Sequence, residues 1–205
     1  KLILKELNIG CTSQIIQIGK ECSPEKFNEE IDSIREKGDS VGGKFIVTYK
    51  NIPVGLGSYV HWDRGIDGRL AQAVMSIPAV KAVEIGTNPL GLCGSEYHDE
   101  FYVSDIGKIE RKTNNAGGIE GGMTNGQDLI VSAVMKPIPT MMKPLKSINC
   151  ETKEESEAHY ERSDVCALES CAVVAEARIA WVLVNEILLK FGADNIEELK
   201  RNYFA

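Results

Sequence analysis

The chain has 205 residues, 23 basic and 30 acidic, for a formal net charge of −7. That balance argues against nucleic acid as the main partner, since phosphate backbones need a concentrated basic face, but it leaves room for a small anion held by a few focused cations. Six cysteines fall without a CxxC pair or regular spacing, against a zinc site or a secreted disulfide framework and for a reducing, cytoplasmic setting. The chain opens on Lys1, and Lys1–Lys5 reads as the tail of a helix, so an upstream segment is expected. No targeting signal or membrane span is expected, because the most apolar run, Ala172 to Phe191, is broken by Glu176, Arg178, Asn185 and Glu186.

Cys11 to Gly19 suits a strand. A helix should follow, with Ser23 as N-cap, Pro24 at its first position, a stripe of Phe27, Ile31 and Ile34, and Gly38 just past its end. Lys44–Tyr49 and Leu56–Val60 read as two strands joined by a turn at Asn51–Pro53, followed by a helix over Asp67–Ser76 and a strand over Val80–Ile85. Residues 86 to 127 are glycine- and asparagine-rich, with one weak strand at Phe101–Val103; an irregular stretch of this length points to function or disorder. Leu129–Met135 is a strand running straight into Lys136-Pro137-Ile138-Pro139-Thr140. Residues 151 to 161 read as a charged linker or helix start. A long helix is expected over Ala172–Lys190, with apolar positions 173, 177, 180, 181, 184, 187, 188 and 191, then Gly192 and a short helix near Ile196–Asn202. Strands and helices without βαβ alternation predict an α+β fold, with helices packed on an antiparallel sheet, and 1–205 as a single domain.

Three segments carry candidate chemistry. Residues 114–127 contain five glycines between 117 and 126, which allow positive φ and let backbone N–H groups approach a ligand; composition leaves this and a flexible surface loop equally open. The segment is neither a Walker loop nor GxGxxG after a strand. In Lys136–Thr140 two prolines stiffen the backbone and hold an ammonium and a hydroxyl at fixed separation, suited to a phosphate or planar polar group; a strand-ending turn is the plainer alternative. Arg162 is a bidentate partner for phosphate or carboxylate, and Asp164 is either a proton acceptor or the cap of the long helix. His61, His98 and His159 lack metal spacing.

Taken in order, Gly-Gly-Ile-Glu-Gly-Gly-Met-Thr-Asn-Gly-Gln (117–127), Lys-Pro-Ile-Pro-Thr (136–140), Arg-Ser-Asp-Val-Cys-Ala (162–167) and Val-Val-Ala-Glu-Ala (173–177), with Ser76 to Gly86, resemble the chorismate synthase family. The resemblance implies the C-terminal portion of a longer, β-α-β layered protein. It also implies conversion of 5-enolpyruvylshikimate 3-phosphate to chorismate by anti-1,4-elimination of phosphate with reduced FMN, and a homotetramer. By the same resemblance, Pro78, Ala79, Gly121, Lys136, Pro137, Ile138, Pro139, Thr140 and Arg162 contact FMN, Arg162 also meets the substrate, and Asp164 assists proton removal. Pro78 stands where some relatives carry Asn and offers no donor, and Glu169-Ser170-Cys171 departs from a more usual Pro-Ala-Ala. The family's Gly-Glu-Ser-His-Gly motif, second histidine and arginine-serine cluster are absent from this chain. The expectation is therefore a half-site that touches flavin without turning over alone. Against this stand a noncatalytic binding or assembly module derived from the family, which the coding sequence upstream of Lys1 would distinguish, and an unrelated NADPH-dependent flavin reductase, which explains none of the motifs.

Overall fold

The computed structural model describes residues 1–159 and 164–205. In chain order it contains α1 (Leu2–Glu6), β1 (Gly10–Ile18), α2 (Phe27–Glu36), β2 (Gly43–Lys50), α3 (Ile66–Met75), β3 (Val80–Ile85), α4 (Gly94–Tyr97), β4 (Phe101–Val103), β5 (Ile109–Arg111), β6 (Ile119–Glu120), β7 (Met123–Thr124), β8 (Leu129–Met135), β9 (Lys146–Ile148), β10 (Glu155–Glu157), α5 (Leu168–Phe191) and α6 (Ile196–Phe204). The main sheet has the order β1-β2-β8-β3 and is antiparallel throughout. The α+β expectation holds.

Alternation decides which face is core. Phe45, Val47 and Tyr49 of β2 and Leu129, Val131, Ala133 and Met135 of β8 point to one side and are buried, because successive strand residues face opposite ways. That side packs against α3 and α5. The other face is mixed. There Lys44 of β2 pairs with Glu84 of β3, and Ser132 and Asn88 also donate to the same carboxylate.

Four expectations outside the long helix need correction. Leu56–Val60 is not a strand returning on β2: Gly55 and Gly57 take positive φ and break the extended run, and Leu56 exchanges hydrogen bonds with Thr124 instead. Residues 86–127 hold two hairpins, β4–β5 and β6–β7, and a short helix rather than one weak strand. The 151–161 segment contributes β10, paired with β9. Ser23 stands before a 3₁₀ turn at Pro24–Lys26 and caps nothing with its side chain; α2 begins only at Phe27.

The long helix differs in its buried face. Of the expected stripe, Ala180 and Ile187 are buried, but Val173 and Trp181 are 56% and 71% exposed. Leu168, Cys171, Ala172, Ala175, Ile179, Leu183 and Ile187 face the sheet. This helix is apolar on most of its circumference, so periodicity alone does not select the side that the sheet takes. Glu186, 5% exposed, is held by Arg69 of α3, tying the two helices together. Among the described residues, no helix is long and apolar enough to cross a membrane.

Candidate functional site

The strand pair β3–β8 has two ends, and the motif residues divide between them. At the Val80–Met135 end, the Lys136 backbone N–H donates to the Ala79 carbonyl at 2.9 Å, which seats Pro78–Ala79 beside the start of Lys136–Thr140. Ala79 takes a φ of +74°, a left-handed conformation that costs a residue with a Cβ about 1–2 kcal/mol. The surrounding bonds enforce it, and backbone held this way tends to gather where ligands bind. Pro137 and Pro139 expose their rings, Ile138 packs on the core edge, and Thr140 is half-buried. The Lys136 side chain is exposed and, among the described residues, has no ion-pair partner.

Asp164 is tied to this end indirectly, and the cleft it lines includes none of residues 78–79 or 136–140. Ser40 Oγ donates to the Ile138 carbonyl at 2.5 Å, and the next residue, Val41, donates its N–H to the Val165 carbonyl at 2.9 Å. Two consecutive residues thus join the proline turn to the segment entering α5. Asp164 is exposed and lines a cleft of about 540 Å³ with Asn28, Asp32 and Arg35 of α2 and Glu169 of α5. The capping alternative for Asp164 is overturned: α5 begins at Leu168, its N-cap is Ala167, and no side chain caps it. Arg162 lies outside the described residues.

Gly121 is not brought to this group. It stands near the other end of the ladder, where it lines a cleft of about 370 Å³ with Ile85, Asp67, Tyr97, His98 and Glu120. Val80 and Ile85 are five strand steps apart, roughly 17 Å, so the two ends are separate neighbourhoods of the molecule.

The glycine-rich segment is pinned rather than loose. A Cβ on Gly117 would lie 2.3 Å from the Gly86 nitrogen, and one on Gly118 would lie 2.6 Å from the Asp128 carbonyl oxygen. These glycines permit chain crossings. Gly121 differs: its φ is +58° and nothing lies within 4 Å of where a Cβ would point, so it alone among these three faces open space. Polar side chains complete the anchoring. Asn114 donates to Asp128 O at 2.8 Å and accepts from Gly118 N at 2.8 Å, and Asn115 donates to Tyr97 O at 2.8 Å. Asp99 accepts from Thr113 Oγ1 and from the Asn115 and Ala116 amides. Burial works to raise its pKa, but the hydrogen bonds from Thr113, Ala116 and Asn115 outweigh it and hold the carboxyl below its ordinary value of 3.8.

Neither Asp99 nor Ser40 stands among the candidate residues read from the sequence. Both act through contacts distant in sequence, at separations of 14 to 17 residues for Asp99 and 98 for Ser40, which no local pattern signals. Among the described residues, no group of three or more His, Cys, Asp or Glu side chains could hold a metal ion, and His61 pairs with Asp63.

The family model described as chorismate synthase matches residues 1–188. The chorismate synthase of Thermoanaerobacter pseudethanolicus is 52% identical over 210 residues, covering 100% of this chain and 59% of that protein. That of Caldanaerobacter subterraneus subsp. tengcongensis is 49% identical, covering 99% and 59%. A crystal structure of a chorismate synthase superposes with a TM-score of 0.80 at 35% identity, over 98% of this chain and 63% of that one. The chain spans about three-fifths of the length of the curated relatives it matches. With a family model matched over most of its residues and relatives half identical along its whole length, this chain belongs to the chorismate synthase family.

Proposed function

We propose that this chain is the C-terminal, flavin-holding portion of an enzyme that eliminates phosphate from 5-enolpyruvylshikimate 3-phosphate in the anti-1,4 sense to give chorismate, with reduced FMN. The observation that carries the reading is the hydrogen bond from Lys136 N to Ala79 O, which joins two motif segments 57 residues apart in the sequence into one surface. The residues there fit a flavin. Lys136 offers an exposed ammonium, the two prolines offer exposed apolar rings, and Pro78–Ala79 lies beside them through the Lys136–Ala79 bond.

When bound, the reduced flavin supplies transient electron donation toward the allylic phosphate and a site to receive hydrogen. The chain's own residues have simpler tasks. Lys136 attracts the electron-rich edge or phosphate of the cofactor, and Pro137 and Pro139 fix where that ammonium stands, so that little ordering remains to be done on binding. Ile138 and Thr140 line the same turn, one apolar and one hydroxylic. Asp164 would assist removal of the ring proton, and Arg162 would neutralise the anionic substrate. Gly121, at the other end of the ladder, would offer only bare backbone to the cofactor. The remaining catalytic groups come from the part of the family's chain not represented here, and the same reading expects a cytoplasmic homotetramer.

The test uses the family-length protein, reduced FMN and substrate without oxygen, following phosphate and chorismate together. Equal release of both, dependent on reduced FMN, supports the proposal. Flavin binding without phosphate release would leave a noncatalytic member of the family.

A further inference from the structure

We infer that residues 38–42, the connection from α2 into β2, are a positioning device that sets the distance between the proline turn and Asp164, with Ser40 as its working residue; the inference rests on the flavin reading above. Every residue of this short segment except Asp39 bonds to or is crowded by a chain segment far away in sequence. Gly38 O accepts from Lys143 N at 2.9 Å, just beyond the turn. Ser40, 8% exposed, donates its hydroxyl to Ile138 O, the centre of the turn. Val41 N donates to Val165 O, one residue past Asp164. Gly42 O accepts from Gly19 N, and a Cβ on Gly42 would lie 2.1 Å from Met135 O and 2.8 Å from the Lys136 carbonyl carbon, so the segment runs as close to the turn as backbone permits.

Asp39 serves the same end indirectly, accepting from Ser40 N at 2.8 Å and fixing the backbone that aims the hydroxyl. Prolines stiffen the turn internally, but they do not fix it to its surroundings. The Ile138 carbonyl cannot be held by a strand partner, because β8 ends at Met135. Ser40 provides that hold, and Val41 ties the same segment to the Asp164 side. A shift of 40–41 therefore moves the cradle relative to the carboxylate without touching either group, and misplacement of this kind lowers rate more than it lowers stability. Ser40 touches neither flavin nor substrate in this reading.

The test is made on the family-length protein. Ser40→Ala is expected to weaken FMN affinity about tenfold, while circular dichroism stays close to wild type and the thermal midpoint falls by no more than the loss of one buried hydrogen bond accounts for. Ser40→Cys, similar in size with a weaker donor, should fall between and serves if the alanine variant does not fold. In a double-mutant cycle with Lys136→Ala the losses should be less than additive, because both act through one turn. Wild-type affinity in Ser40→Cys, or strict additivity with Lys136→Ala, would overturn the positioning role. Failure of the wild-type protein to bind FMN at all would instead overturn the flavin reading, and this inference with it.

Discussion

The two ends of the β3–β8 ladder are both rigid, yet they reach rigidity by opposite means. At the glycine-rich end, side chains have been removed so that backbones can cross, and Asp99, Asn114 and Asn115 replace the missing contacts with hydrogen bonds. At the proline-turn end the backbone is stiff in itself, and the segment 38–42 holds it in place from outside. The first arrangement uses most of its polar groups internally. The second leaves an ammonium facing outward, which is why the ligand reading falls on that end.

Substitutions can break this comparison. Gly117→Ala should be the most damaging, since its Cβ would overlap the Gly86 backbone and its φ of +63° disfavours any side chain; a loss of roughly 3 kcal/mol or more in urea unfolding is expected. Asp99→Asn places an amide N–H₂ among amide and hydroxyl donors and should cost about 1–2 kcal/mol. The same substitution has a pH signature. Because the folded-state pKa of Asp99 lies below its ordinary 3.8, its stabilisation is complete above that value and is lost as pH falls through the lower folded value. Acid unfolding of the Asn variant should lack that component, while the wild type shows it.

Gly121→Ala sharpens the contrast within one loop. It carries the same left-handed φ but meets no neighbouring atom, so only the conformational cost of about 1 kcal/mol should appear. If Gly117→Ala and Gly121→Ala destabilise equally, the packing account of this loop is wrong. Lys136→Ala should have the smallest effect on stability, within about 0.5 kcal/mol for an exposed side chain, yet it should weaken FMN binding about tenfold, the loss of one charge-assisted contact. Isothermal titration and thermal melts on the same samples would separate the two effects.

Much of the fold was legible in the sequence because it rests on local pattern. The strands at 43–50, 80–85 and 129–135 and the helices at 27–36 and 66–75 announce themselves by alternation, helical spacing of apolar residues and turn chemistry. The buried side of α5 was not legible, because a helix apolar nearly all round carries no angular signal, and Trp181 consequently stands on the exposed side. Leu56–Val60 has strand composition, but glycines on either side of Leu56 redirect it toward Thr124. The candidate site was legible as motifs. Their grouping was not: Lys136 and Ala79 meet through backbone atoms, Gly121 stands a strand length away, and Ser40 has no motif of its own.

The central claim is that flavin rests on the Pro78–Ala79 and Lys136–Thr140 surface. Hydrogen–deuterium exchange of the family-length protein with and without FMN, kept anaerobic and reduced, tests it directly. The account predicts slowed exchange in peptides covering 79–80 and 136–140, with the tightly pinned 114–118 amides unchanged. Protection confined to the glycine-rich end, with the proline turn unaffected, would contradict it.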